Sequence, residues 1–152
     1  MENIDPQKAA RVWQRVRGEQ PQGLDTTALS AMIAGEWTDA ATYLLLSRQL
    51  SGKDAALIHQ LYAQERANLA CLKGIYILST GEPPSIPVQQ PSPAPVDTLL
   101  RRCYSREIRC AALYEEKSTD PEYGPVFAQL AQQERRHCQM LAELIGRLGA
   151  EK

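Results

Sequence analysis

The sequence predicts an all-α protein: a single domain over residues 1–152, built as a four-helix bundle with a long crossover between its second and third long helices and a short extra helix at its N-terminal side. Three observations predict it. Apolar residues recur at steps of three and four along four long stretches, which places them on one face of a helix. Six of the ten prolines fall in one segment, 82–95, between the second and third of these stretches. The second half of the chain also repeats polar landmarks of the first, in the same order.

The short helix is expected over 6–17, with Asp5 as N-cap, Pro6 at the first helical position, and Ala9, Val12, Trp13 and Val16 on one side. A loop follows over 18–23. The first long helix, 27–50, is capped by Asp25 or Thr27 and carries the inward stripe Leu29, Ile33, Glu36, Ala40, Tyr43, Ser47 and Leu50. A tight turn at Ser51-Gly52 makes the next helix its antiparallel neighbour. That helix, 53–80, has the stripe Ile58, Leu61, Glu65, Asn68, Leu72 and Ile75, and Gly81 ends it.

Pro83, Pro84, Pro87, Pro91, Pro93 and Pro95 forbid a helix over 82–95 and favour extended polyproline II. At roughly 3.1 Å per residue the segment spans about 40 Å, the length of a helix of about 27 residues. It is therefore expected to run the full height of the bundle, starting the next helix at the end where the previous one began. The third long helix, 96–117, has the stripe Leu99, Cys103, Glu107, Cys110 and Tyr114. Asp120-Pro121 starts the fourth, 121–149, with a kink or loose beginning at Gly124-Pro125.

Composition narrows the function classes. With 17 basic and 18 acidic residues the net charge is −1, so a nucleic-acid partner is not expected. No apolar run has the length needed to cross a bilayer, so a membrane is not expected either. The start, Met1-Glu2-Asn3-Ile4-Asp5, is polar and acidic and reads as no secretory signal. Cys71, Cys103, Cys110 and Cys138 stand singly inside expected helices, as reduced thiols of a cytoplasmic protein would. The absence of a C-x-x-C pair excludes a rubredoxin-type iron site within these residues.

The apolar stripes are interrupted by charge. Leu130, Glu134, His137, Leu141 and Leu144 share one helix face, and a carboxylate there costs several kcal/mol unless an opposite charge accompanies it. Glu36 is followed seven residues on by Tyr43, and Glu107 seven on by Tyr114. Leu61-Tyr62-Ala63-Gln64-Glu65-Arg66-Ala67-Asn68 matches Leu130-Ala131-Gln132-Gln133-Glu134-Arg135-Arg136-His137. The spacing is 29 residues from Glu36 to Glu65 and 27 from Glu107 to Glu134, so antiparallel packing brings all four glutamates to one level. Four core carboxylates cannot stay ionised together without cations. Two divalent ions would neutralise them, and hard oxygens with imidazole suit iron or manganese, zinc being compatible too.

A glutamate from each of two helices plus Glu-x-x-His from the others is the di-iron pattern of ferritin-like bundles. Over residues 27–149 the chain resembles that superfamily, most closely its rubrerythrin-like branch. The resemblance implies two iron ions, with Glu36 and Glu107 as terminal ligands, Glu65 and Glu134 as bridging ones, and His137 as the nitrogen ligand of the metal nearer the third and fourth long helices. Tyr43 and Tyr114 are implied to donate hydrogen bonds to ligands or to take part in electron transfer. The implied activity is reduction of peroxide or oxygen, or oxidation of ferrous iron, with an external electron donor and a homo-oligomer, most simply a dimer. Two positions depart from the pattern. Asn68 stands where a second histidine is expected, which softens that metal position, and Cys110 stands where rubrerythrins carry a further glutamate. The alternative is a ferritin-like bundle with a degenerate site, binding one metal or none and serving interaction or structure.

Overall fold

The computed structural model describes residues 6–16, 24–87 and 89–151. Its elements are α1 (Pro6–Val16), α2 (Thr26–Ser47), α3 (Gly52–Thr80), α4 (Val96–Lys117) and α5 (Gly124–Ala150), an all-helical bundle with no strand among the described residues. The Asp5 cap and the 18–23 loop lie outside these residues, as does the side chain of Trp13.

Each helix boundary has a local cause. Asp25 caps α2, its carboxylate accepting from Thr27 N at 2.9 Å, which settles the choice between Asp25 and Thr27. The helix stops at Ser47, three residues before the expected end, where the Ser47 hydroxyl turns back onto Leu44 O at 2.7 Å. Gly52 then adopts φ 57° to reverse the chain, and Gly81 (φ 78°) closes α3 by donating to Ile77 O at 2.8 Å. The start of α5 is a correction. Asp120 caps a separate turn, its Oδ1 accepting from Glu122 N at 3.0 Å and Tyr123 N at 2.7 Å, and the helix itself begins at Gly124. Only glycine fits there, because an added Cβ would meet Ser118 O at 2.4 Å.

The helices pair as two hairpins, α2 with α3 and α4 with α5, and the hairpins meet through α2 on α4 and α3 on α5. Among the described residues α2 and α5 are diagonal, as are α3 and α4, with no Cα pair within 8 Å. Gln49, just past the end of α2, donates to Ala94 O just before α4, and Arg147 near the end of α5 pairs with Asp54 at the start of α3 at 2.8 Å. Both facing pairs are therefore antiparallel. That arrangement requires the 82–95 segment to climb the bundle, and Ile86 and Ala94 pack against opposite apolar ends of the core.

Those two ends define what lies between them. One contains Leu29, Ile33, Leu72, Ile75, Tyr114 and Phe127; the other contains Tyr43, Leu46, Ile58, Leu61, Leu99 and Leu141. A buried leucine or phenylalanine contributes about 1.5–3 kcal/mol, so the two layers carry the bulk of the bundle's stability. They clamp a third layer that is polar throughout. The expected inward stripes are buried along α2, α3 and α5 within the helices; Leu50 lies beyond α2 and is half-buried, as is Cys110 on α4. Trp37, Tyr62 and Tyr76 pack at the flanks, and His59 is exposed.

Candidate metal centre

The polar layer consists of Glu36 on α2, Glu65 and Asn68 on α3, Glu107 on α4, and Glu134 and His137 on α5. All six are at most 3 % exposed. Antiparallel packing of helices whose landmarks sit near mid-length is what brings them to one depth. One ligand atom from each of Glu65, Glu107, Glu134 and His137 lies within 4.8 Å of all the others, the separation a single cation could span.

His137 points Nδ1 into this group, 2.8 Å from Glu65 Oε1, 3.4 Å from Glu107 Oε2 and 3.7 Å from Glu134 Oε2. Its other ring nitrogen, Nε2, is 2.7 Å from Gln64 Oε1. An amide oxygen accepts, so Gln64 favours the tautomer with the proton on Nε2 and a lone pair on Nδ1. A lone pair facing carboxylate oxygens asks for a cation among them.

The two tyrosines hold Glu36 and Glu107 from the opposite hairpin. Tyr43 of α2 donates to Glu107 Oε1, and Tyr114 of α4 donates to Glu36 Oε1. Burial, joined by the neighbouring carboxylates, pushes both phenols well above their usual range, so they remain donors. On the other side of each glutamate the atoms are bare: Glu36 Oε2, both oxygens of Glu65, Glu107 Oε2 and His137 Nδ1 are buried with no hydrogen-bond partner. Such orphaned acceptors in one place are what a cation would satisfy.

Burial, reinforced by Glu36, pushes Glu65 well above the carboxylate range; burial, reinforced by Glu107, pushes Glu134 up to about 12. Burial also raises Glu36, against its neighbour Glu65 and the Tyr114 hydroxyl, which hold it back. Glu107 alone is lowered: burial raises it, but its neighbours His137 and Glu134 and the Tyr43 hydroxyl outweigh burial. The layer of the metal-free chain therefore holds protons at pH values where free carboxyls are ionised.

Asn68 is brought to the layer, with its amide nitrogen donating to Glu134 Oε1 at 3.0 Å. Its contribution is thus a donor, unlike the lone pair that His137 offers. Cys103 is buried beside the layer, and burial raises both it and Cys110, so neither is a ready thiolate.

Sequence reasoning missed three residues. Gln64 directly precedes Glu65, and its only signal is the matching Gln133 before Glu134. Asp39 lies one turn beyond Glu36 and is 3 % exposed. It pairs with Arg106, whose Nη2 is 3.4 Å from Asp39 Oδ2, closing the layer from the side where α2 meets α4. Burial lifts Asp39 to about 7 although Arg106 opposes the shift. Gly35 leaves room for the guanidinium, since a Cβ there would sit 3.0 Å from Arg106 Nη2. No helix is long and apolar enough to cross a membrane among the described residues. Comparison with protein-family models, with curated proteins and with solved structures finds no match to this chain.

Proposed function

We propose that the chain is a ferritin-like protein of the rubrerythrin type whose buried polar layer holds iron or manganese, and that it reduces peroxide or oxygen or oxidises ferrous iron. The observation that carries this reading is the set of partnerless buried donor atoms on Glu36, Glu65, Glu107 and His137, brought to one depth by four helices. The two-hairpin arrangement with antiparallel facing pairs and a long crossover supports the ferritin-like assignment.

The donor set fits the group. Glu107 and His137, with Glu65 and Glu134 shared, would hold one ion; Glu36 and Asn68, with the same shared pair, would hold the other. When bound, such ions supply redox equivalents and Lewis-acid polarisation of an oxygen–oxygen bond. The chain's own residues set the conditions. Tyr43 and Tyr114 fix the terminal carboxylates, and Gln64 turns the imidazole toward the layer. The flanking apolar layers keep out water, and the Asp39–Arg106 pair supplies the polar edge nearest solvent. Electrons would come from a donor outside these residues, in a homodimer, and the four single thiols fit the cytoplasm.

A second reading, a degenerate site with one ion or none, is favoured by one observation: Asn68 turns an N–H toward Glu134. Aerobic ferrous titration separates the two. Growth of near-ultraviolet ferric absorption to about two irons per chain supports the first reading, about one supports the single-ion form, and no uptake removes the metal proposal.

A further inference from the structure

We propose that the cleft between α2, α3 and the crossover binds an anionic aromatic small molecule, a flat ring carrying a phosphate or carboxylate. The cleft is separate from the buried glutamate layer and the proposal does not depend on that layer holding metal. Its volume is about 520 Å³, within the range of small-molecule sites.

Three features define its chemistry. The first is charge: Arg48, Arg66 and Lys73 all line it, and no aspartate or glutamate does. All three cations are exposed, and among the described residues none forms an ion pair. Three unneutralised cations around one concavity favour an anion, and guanidinium forks suit phosphate or carboxylate oxygens.

The second feature is ring surface. Trp37 and Tyr62 stand half-buried in the walls, while Ala40, Ala41 and Ala70 line the cleft with little side-chain bulk, leaving space for a flat group. Arg66 lies 5.9 Å from the Tyr62 ring centroid and donates to its hydroxyl at 3.0 Å, so that guanidinium is already held at the cleft. The third is enclosure. Gln90 and Pro91 of the crossover form part of the wall, and the prolines around them stiffen it. This concavity suits a small ligand better than the flat face of a second copy, which would also have to present acids to three cations.

The test uses the full chain carrying Trp13→Phe, so that Trp37 is the only tryptophan. Adenosine monophosphate and 1-naphthyl phosphate are titrated against Trp37 fluorescence, with adenosine and 1-naphthol as uncharged counterparts. At least one phosphate is expected to saturate at one per chain and to bind at least about tenfold more tightly than its counterpart. Arg66→Ala with Lys73→Ala, both at exposed positions, is expected to weaken it by about tenfold or more, and Arg101→Ala on α4 to leave it unchanged. Saturation by neither phosphate overturns the proposal, as do equal binding of the uncharged partners and indifference to the double substitution. Sedimentation as a dimer that Arg66→Glu converts to monomer also overturns it, making this face an interface between copies.

Discussion

Tyr43 on α2 and Glu107 on α4 form a hydrogen bond across the two hairpins, between residues 64 positions apart in the chain. Its mirror, Tyr114 to Glu36, runs the other way between the same two helices. Each tyrosine thus serves the glutamate of the opposite half and not its own. The exchange locks α2 onto α4 at the depth of the polar layer and leaves the inner oxygen of each glutamate bare.

Replacing Tyr43 by Phe strands Glu107 Oε1 in the interior, at a cost of about 1–3 kcal/mol. Tyr114→Phe does the same to Glu36. The two differ in their effect on metal. Glu107 belongs to the group that His137 completes, so Tyr43→Phe is expected to weaken the tighter ion and Tyr114→Phe the weaker one. Calorimetric melts and manganese titrations of the two variants check both halves of this expectation. Equal effects on a single class of site would contradict it.

The metal-free protein should lose stability as pH rises. Glu65 and Glu134 have native values raised above the ordinary 4.5, Glu134 to about 12, whereas the unfolded chain ionises them near 4.5. Between those limits the native state holds more protons than the unfolded state, and each extra proton makes stability fall by about 1.4 kcal/mol per pH unit. Asp39, raised from 3.8 to about 7, adds the same sign up to its native value. The lowered Glu107 opposes this only below about 4.5. Chelator-treated protein is therefore expected to melt higher at about pH 5.5 than at about pH 8, and metal-saturated protein to show the reverse, since protons and metal compete for the same oxygens. Scanning calorimetry with and without chelator measures both slopes, and a metal-free Tm that climbs with pH would contradict the assignment of protons.

Asn68→His replaces an amide that donates to Glu134 by an imidazole able to offer a lone pair. The second ion should bind about tenfold or more tightly, read as a second resolved step in manganese calorimetry. An unchanged isotherm would mean that Asn68 does not face the second ion.

Much of this was legible in the sequence because helices write their inward faces as a period. The stripe Leu130, Glu134, His137, Leu141, Leu144 named a buried carboxylate and imidazole, and the repeated Glu-to-Tyr interval paired the halves. Proline at six places in one segment forced the crossover. Periodicity states which face a residue occupies but not which helix it meets, so the crossed reach of Tyr43 and Tyr114 was not readable. Asp39 and Arg106 are joined only by tertiary packing and leave no local signature. Gln64 acts through a ring on another helix. The start of α5 misled because Asp120-Pro121 is a good cap on local grounds, while Asp120 spends its carboxylate on the preceding turn.

The most direct measurement is anomalous diffraction from crystals soaked in manganese or ferrous salt, collected at the metal's absorption edge. A peak is expected among Glu65, Glu107, Glu134 and His137, with a second, weaker one between Glu36 and Asn68, and loss of the first in His137→Ala. A metal found only at the protein surface, or an interior that stays empty at saturating metal, would contradict this expectation.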